Sequence, residues 1–156
     1  MIPEFDGLSD SEVELMFKAP LLVCVLVAGA DNDIDQAEIK GAIDVAKKKT
    51  KKSRAKLIEF YTTVAQDFED KLKVIIQSLP LEAADRNPLI VDELTRLNSI
   101  LLKIDKSFSV HFYESIKEIA LKIAESSGGL FWIRKSIGPE EAKVVGLPMI
   151  KNPATY

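Results

Sequence analysis

Four carboxylates lie close together in a polar stretch that follows an apolar segment. They are Asp31, Asp33, Asp35 and Glu38. Hard cations such as Ca²⁺ and Mg²⁺ take carboxylate oxygens as ligands, so this cluster predicts a weak divalent-cation site. The spacing departs from an EF-hand loop, because Gln36 stands at its sixth position and Ala42 at its twelfth. The alternative is that these side chains only cap a turn and the start of a helix.

A basic run follows the acidic cluster. Positions 47 to 56 contain seven basic residues and no acid, although the whole chain carries a net charge of −3. Such a run could contact an anionic membrane surface, and the candidate contact residues are Lys47, Lys48, Lys51, Lys52 and Arg54. No aromatic residue lies within the run for base stacking, so specific nucleic-acid recognition is not expected. The alternative is a solvated helix end whose cations complement the helix dipole.

The sole tryptophan of the chain lies beside a glycine pair, in the sequence Gly128-Gly129-Leu130-Phe131-Trp132. Large apolar side chains in a loop must either pack back on the core or form an apolar patch that binds a partner. Phe131 and Trp132 are therefore candidates for contact with a partner protein or with a second copy of the chain. The alternative is that they fill a gap between two halves of the fold.

The sequence offers little for catalysis. His111 is the only histidine and could form a ligand row with Glu114 and Glu118, although a solvated helix face is the simpler interpretation. The only cysteine, Cys24, lies in an apolar run and is expected to be a buried, inert thiol. No nucleophile–base pair, zinc ligand set or glycine-rich phosphate loop is found, so an enzyme is not expected.

The elements that must position these residues are helices. Ser9 and Glu12 fit a capping box, which predicts a helix over 10–18 that stops at Ala19-Pro20. The apolar run from Pro20 to Ala30 predicts a second helix at the centre of the domain, with a buried strand as the alternative. A further helix is expected to begin near Asp35.

Apolar residues then recur at steps of three and four. This spacing predicts one helix from Arg54 to about Ser78, a second opened by Asn87-Pro88 and running to about Phe108, and a third over 112–126. Gly138-Pro139 is expected to open a last short helix, with Glu141 in its first turn. The prediction is an all-α bundle of about six to seven helices.

The chain of 156 residues is long enough for one domain with a substantial core. We expect a single domain over 1–156, with its core over about 10–147 and a tail over 148–156. The N-terminus has no basic, apolar leader, and no apolar stretch reaches the length of a membrane span. A cytoplasmic protein without a membrane span is therefore expected.

Two short motifs resemble the tellurite-resistance TerB-like family. The first is Ala28-Gly29-Ala30-Asp31-Asn32-Asp33-Ile34-Asp35-Gln36-Ala37-Glu38, which is similar to the family's acidic helix-opening signature, with Asn32 where glycine is usual. The second is Ser127-Gly128-Gly129-Leu130 followed by Ile137-Gly138-Pro139-Glu140-Glu141, which resembles its counterpart in the second half. The resemblance implies a helical bundle of two loosely similar halves, found in bacterial stress and metal-resistance systems, without an established catalytic activity.

Two functions follow as hypotheses. The first is a non-catalytic module that binds a protein partner or a divalent cation, with Glu141 adding an oxygen ligand from the opposite loop to the acidic cluster. The second is a helical enzyme or scaffold subunit whose chemistry no motif reveals.

Overall fold

The computed structural model describes residues 2–28, 48, 55–126 and 146–155. Within these ranges the chain forms α1 (Asp10–Ala28), α2 (Ala55–Ala65), α3 (Phe68–Ser78), α4 (Ala83–Thr95), α5 (Leu97–Leu101) and α6 (Lys106–Ser126), with 3₁₀ turns at Pro3–Phe5 and Pro153–Thr155. None of the described residues lies in a strand. The all-α class predicted from the sequence is confirmed.

The start of α1 carries the expected capping box. The Ser9 hydroxyl accepts a hydrogen bond from the Glu12 backbone N–H at 3.3 Å, and the Glu12 carboxylate accepts one from the Ser9 N–H at 2.9 Å. Two N–H groups that the helix leaves unpaired are thereby satisfied. The second oxygen of Glu12 lies 2.6 Å from Nζ of Lys103, so the cap also ties α1 to the turn before α6.

The predicted interruption at Ala19-Pro20 is wrong, because α1 continues through Pro20. Proline removes one hydrogen bond from a helix interior, at a cost of about 3 kcal/mol. All side chains from Leu21 to Val27 are 3% exposed or less, and their burial outweighs that cost. The central buried helix is thus confirmed as far as Val27, and the alternative of a buried strand is excluded there.

The single helix predicted from Arg54 to Ser78 is also wrong, because it is two helices. The break falls at Gln66 and Asp67, and Asp67 adopts a left-handed φ of 54°. Val64 and Phe68 are buried on either side of the break. Their step of four residues is preserved across it, which is why the apolar spacing did not show the break.

The prediction of one helix from Asn87-Pro88 to about Phe108 is wrong at both ends. The observed helix α4 starts earlier, at Ala83, and includes Pro88 in its interior. Three helices, α4, α5 and α6, replace the continuous helix expected as far as Phe108. A carboxylate oxygen of Asp105 accepts a hydrogen bond from the N–H of Phe108 at 3.2 Å. This cap starts α6 at Lys106, six residues before the predicted start.

Helix α1 lies at the centre and packs against each of the other five helices. Near its start, Glu12 pairs with Lys103, which lies just before α6. Further along, the rings of Phe17 on α1 and Phe112 on α6 both contact the ring of Phe60 on α2, at centroid distances of 5.2 and 5.5 Å. Contacts that advance together along both helices show that α1 and α6 run in the same direction.

Both terminal segments pack on this core. Ile2 and Phe5 are buried before α1, and Ile150 and Pro153 are buried within the segment expected to be a tail. In the ranges that the structure describes, none of the helices has the length and apolar character needed to cross a membrane.

Candidate functional site

Most of the residues singled out from the sequence lie outside the described ranges. This holds for the predicted metal ligands, for both aromatic residues of the partner-binding candidate and for most of the basic run, namely Asp31, Asp33, Asp35, Glu38, Glu141, Phe131, Trp132, Lys47, Lys51, Lys52 and Arg54. Lys48 is described, and it is helical and exposed. The predictions made on the other residues stay predictions.

A groove of about 620 Å³ opens between α1 and α3, beside the end of α2. Its floor is apolar, formed by Phe17 and Leu21 one turn apart on α1 and by Val74 and Ile75 on α3. Leu21 and Ile75 belong to the buried core, whereas Val74 is 64% exposed. Apolar side chains that stay partly exposed within a groove can bind the apolar surface of another molecule.

Charged residues form the rim of this groove. Lys18 is neutralised by Glu93 of α4, with Nζ and Oε1 3.3 Å apart, and Lys71 donates a hydrogen bond to the backbone oxygen of Thr63 at 3.3 Å. Glu14 and Asp70 form no ion pair with any residue in the described ranges. The groove therefore presents carboxylates on both walls that are free to bind a cationic group.

Sequence reasoning did not identify this groove. The steps of three and four that predict this helix place Phe68, Leu72, Ile75 and Leu79 on one face, and Val74 lies outside that face. An apolar residue, Val74, outside the core face of the helix was the one sequence signal that could have indicated a second apolar surface. The apposition of α3 with α1, which forms the groove, depends on the tertiary structure.

Four buried thiol and hydroxyl groups in the described ranges are engaged within the core. Cys24 is buried, as expected from its apolar run, and burial raises the pKa of its thiol to about 12. Burial likewise raises the pKa of Tyr61, whose hydroxyl lies 2.6 Å from Oγ of Ser115. The Ser115 hydroxyl donates to the backbone oxygen of Phe112 at 2.7 Å, and that of Ser109 donates to the backbone oxygen of Leu101 at 2.9 Å.

The possible ligand row on α6 forms no metal-binding group. His111 is half-buried, while Glu114 and Glu118 are exposed on the same helix. Across residues 2–28, 48, 55–126 and 146–155, no three histidine, cysteine or acidic side chains lie close enough together to hold a metal ion.

Comparison with known proteins adds no relative from which a site could be transferred. No protein-family model, curated protein or solved structure matches this chain.

Proposed function

We propose that this protein is a non-catalytic interaction module and that the groove between α1 and α3 binds an amphipathic helix of a partner protein. The observation that carries the proposal is the apolar floor, which includes the exposed Val74 and the half-buried Phe17, within a rim of charged side chains. A monomeric domain gains nothing in stability from an apolar side chain left in water, whereas a bound helix would cover it.

A helix fits this groove better than an extended segment does. The walls are two helices, and Phe17 and Leu21 are separated by one turn, as are Asp70, Val74 and Ser78. Ridges spaced one turn apart match the grooves on the surface of a third helix. An extended peptide usually relies on hydrogen bonds to unpaired main-chain groups, and groove walls made of helices have their main-chain groups already bonded within the helix.

The charged rim indicates which polar residues a partner helix should carry beside its apolar face. Since Glu14 and Asp70 have no cationic partner in the described structure, a bound helix should place lysine or arginine beside each of them. Solvent-exposed pairs of this kind each contribute about 0.2–1 kcal/mol and mainly set orientation. The expected ligand therefore has apolar residues one turn apart, flanked by basic residues.

Selection from a displayed library of helical peptides tests the proposal. The enriched peptides should share apolar residues three or four positions apart with basic flanks, and they should bind the purified protein saturably. Val74→Glu should abolish this binding, because it places a carboxylate on the apolar floor. The matched control is Leu102→Glu, since Leu102 is 66% exposed, does not line the groove and should tolerate the change without loss of binding.

Two outcomes would contradict the proposal. Either no peptide class is enriched, or the enriched peptides bind the Val74→Glu variant as well as they bind the unchanged protein. Both variants replace an exposed side chain, so their melting temperatures should stay close to that of the unchanged protein and a loss of binding can be assigned to the groove.

We also propose that the protein acts in the bacterial stress and tellurite-resistance context that the TerB-like resemblance implies. The resemblance further implies the all-α class, which many unrelated families also share.

We further propose that the acidic cluster beginning at Asp31 binds a divalent cation, with Glu141 as an added ligand. The parallel course of α1 and α6 supports this, since the two motifs follow helices that point in the same direction.

A further inference from the structure

Four polar side chains that line the groove between α1 and α3 offer hydrogen-bond acceptors to a ligand. Two of them are the carboxylates of Glu14 and Asp70, which only accept when they are ionised. The other two are hydroxyl groups whose hydrogens are already used. The Thr63 hydroxyl donates to a backbone oxygen of its own helix at 3.3 Å, and the Ser78 hydroxyl does the same at 2.8 Å. The groove therefore favours a ligand that is rich in donors.

Neither carboxylate is neutralised by the lysine that stands one turn away on its own helix. Lys18 lies four residues after Glu14, a spacing at which side chains on a helix form ion pairs, but its ammonium group is bound to α4. Lys73 lies three residues after Asp70, but it pairs with Glu69 at 3.5 Å. As far as the structure describes the chain, both walls of the groove thus carry an unbalanced negative charge.

The floor of the groove adds an aromatic ring. The ring of Phe17 stacks on that of Phe60, with centroids 5.2 Å apart and planes inclined by 12°, and the ring of Phe5 lies at 76° to it at 5.6 Å. Phe17 is nevertheless only half-buried, and the surface that these rings leave open lines the groove. Glu14 lies three residues before Phe17 on the same side of α1, so its carboxylate can reach a group bound over the ring. An open aromatic face attracts a cation, and the adjacent carboxylate adds to that attraction.

We propose that the groove binds an arginine side chain of its partner as the anchor, with the guanidinium stacked over Phe17 and hydrogen-bonded to Glu14, and with Asp70 on the opposite wall. This inference rests on the proposed function, since the arginine is one of the basic residues expected beside the apolar face of the partner helix. A guanidinium fits better than an ammonium group, because it is planar, stacks on an aromatic ring and presents several donors in a fixed arrangement. The ammonium group of a lysine is a compact, strongly hydrated charge that loses more by leaving water.

Octylguanidinium and octylurea are the probes, because their alkyl chains are the same and their planar head groups differ mainly in charge. Neither probe depends on a partner helix. Binding to the full chain is followed by NMR, through the ring signals of Phe17 and the methyl signals of Leu21 and Val74. Octylguanidinium should bind at least about fivefold more tightly than octylurea, with octylammonium between the two.

A pair of double variants assigns this preference to the groove. Glu14→Gln combined with Asp70→Asn should remove the preference for octylguanidinium over octylurea. Both residues are exposed, so the fold should be retained. The matched control is Asp10→Asn combined with Glu69→Gln, which removes two exposed charges from the same two helices outside the groove and should keep the preference.

The outcomes separate the arginine anchor from the partner helix. Equal affinity for octylguanidinium and octylurea, or no shift of the Phe17 and Val74 signals with either, would overturn the anchor. An equal loss of preference in the control variant would overturn it too, because the attraction would then come from the charge of the whole protein. If the helical peptides selected above bind unchanged with citrulline in place of each arginine, the anchor is wrong and the proposed function stands. A guanidinium preference without any enriched helical peptide would keep the guanidinium site and reject the partner helix.

Discussion

The hydroxyl of Tyr61 on α2 lies 2.6 Å from Oγ of Ser115 on α6, and both residues are buried beside the central helix. The serine hydroxyl donates onward to the backbone oxygen of Phe112, so the tyrosine hydroxyl donates to the serine and the two bonds form a short chain. This chain of hydrogen bonds joins α2 and α6 within the buried core. It fixes how the two helices are rotated against each other.

A double-mutant cycle measures this link. Ser115→Ala leaves the Tyr61 hydroxyl buried without its partner and should lower the free energy of unfolding by about 1–3 kcal/mol. Tyr61→Phe removes the hydroxyl itself and should cost about 0.5–1.5 kcal/mol. The double variant should cost less than the sum of the two, as measured by urea denaturation, because the orphaned hydroxyl is gone. Strict additivity would mean that the bond contributes nothing.

Glu12 should make stability depend on acid pH. Its hydrogen bond to Lys103, aided by the Ser9 N–H, lowers the pKa of the Glu12 carboxyl. The stabilisation is therefore present at neutral pH and is lost as the pH falls through the folded-state pKa. Glu12→Gln keeps the capping hydrogen bond and removes the charge. At pH 7 the variant should have a lower free energy of unfolding than the unchanged protein, and this difference should shrink at pH values below about 4. An equal difference in unfolding free energy at both pH values would exclude this role of the charge. The control is Glu69→Gln, because Glu69 forms an exposed ion pair with Lys73.

Leu26 tests the central position of α1. It is fully buried, and its replacement by alanine leaves a cavity among the surrounding helices. Leu26→Ala should lower the free energy of unfolding by about 2–5 kcal/mol. The control is Leu102→Ala, which removes a side chain that is 66% exposed and should cost about 0.5 kcal/mol or less. Similar losses for both variants would contradict a core centred on α1.

Cys24 should make stability depend on alkaline pH. Burial raises the pKa of its thiol to about 12, whereas the unfolded thiol ionises near about 8.5. Its stabilisation is present in full below the unfolded pKa and is lost as the pH rises towards the folded value. Between pH 8.5 and 10 the unfolding free energy should fall by up to about 1.4 kcal/mol per pH unit more in the unchanged protein than in Cys24→Ala. Parallel pH profiles would show that the thiol is accessible to water.

The proposed cation site predicts a thermal shift. With Ca²⁺ at ten times its dissociation constant, the melting temperature should exceed that with a chelator by about 3–6 °C. Asp31→Asn combined with Asp33→Asn should remove the shift, because the charge of the cluster is then halved. Equal melting temperatures in calcium and in chelator would mean that the four carboxylates only cap their turn and helix.

The sequence was sufficient for the features that depend on neighbouring residues. The Ser9–Glu12 capping box joins residues three apart, and the helical class follows from apolar spacing along each segment. The unbroken apolar run from Leu21 to Val27 likewise indicated the centre of the core, because a helix that is apolar on every face must be surrounded.

The tertiary structure alone decided where helices continue and where surfaces meet. The helix continues through Pro20 but breaks at Asp67, although apolar residues keep their helical spacing across both positions. The outcome depends on how well the residues on either side pack against distant helices. The contact of Asn98 with Met149 joins residues that are 51 positions apart. The groove at Val74 exists only because α3 lies beside α1. Such relationships arise from the packing of whole helices, since no short stretch of sequence contains both partners.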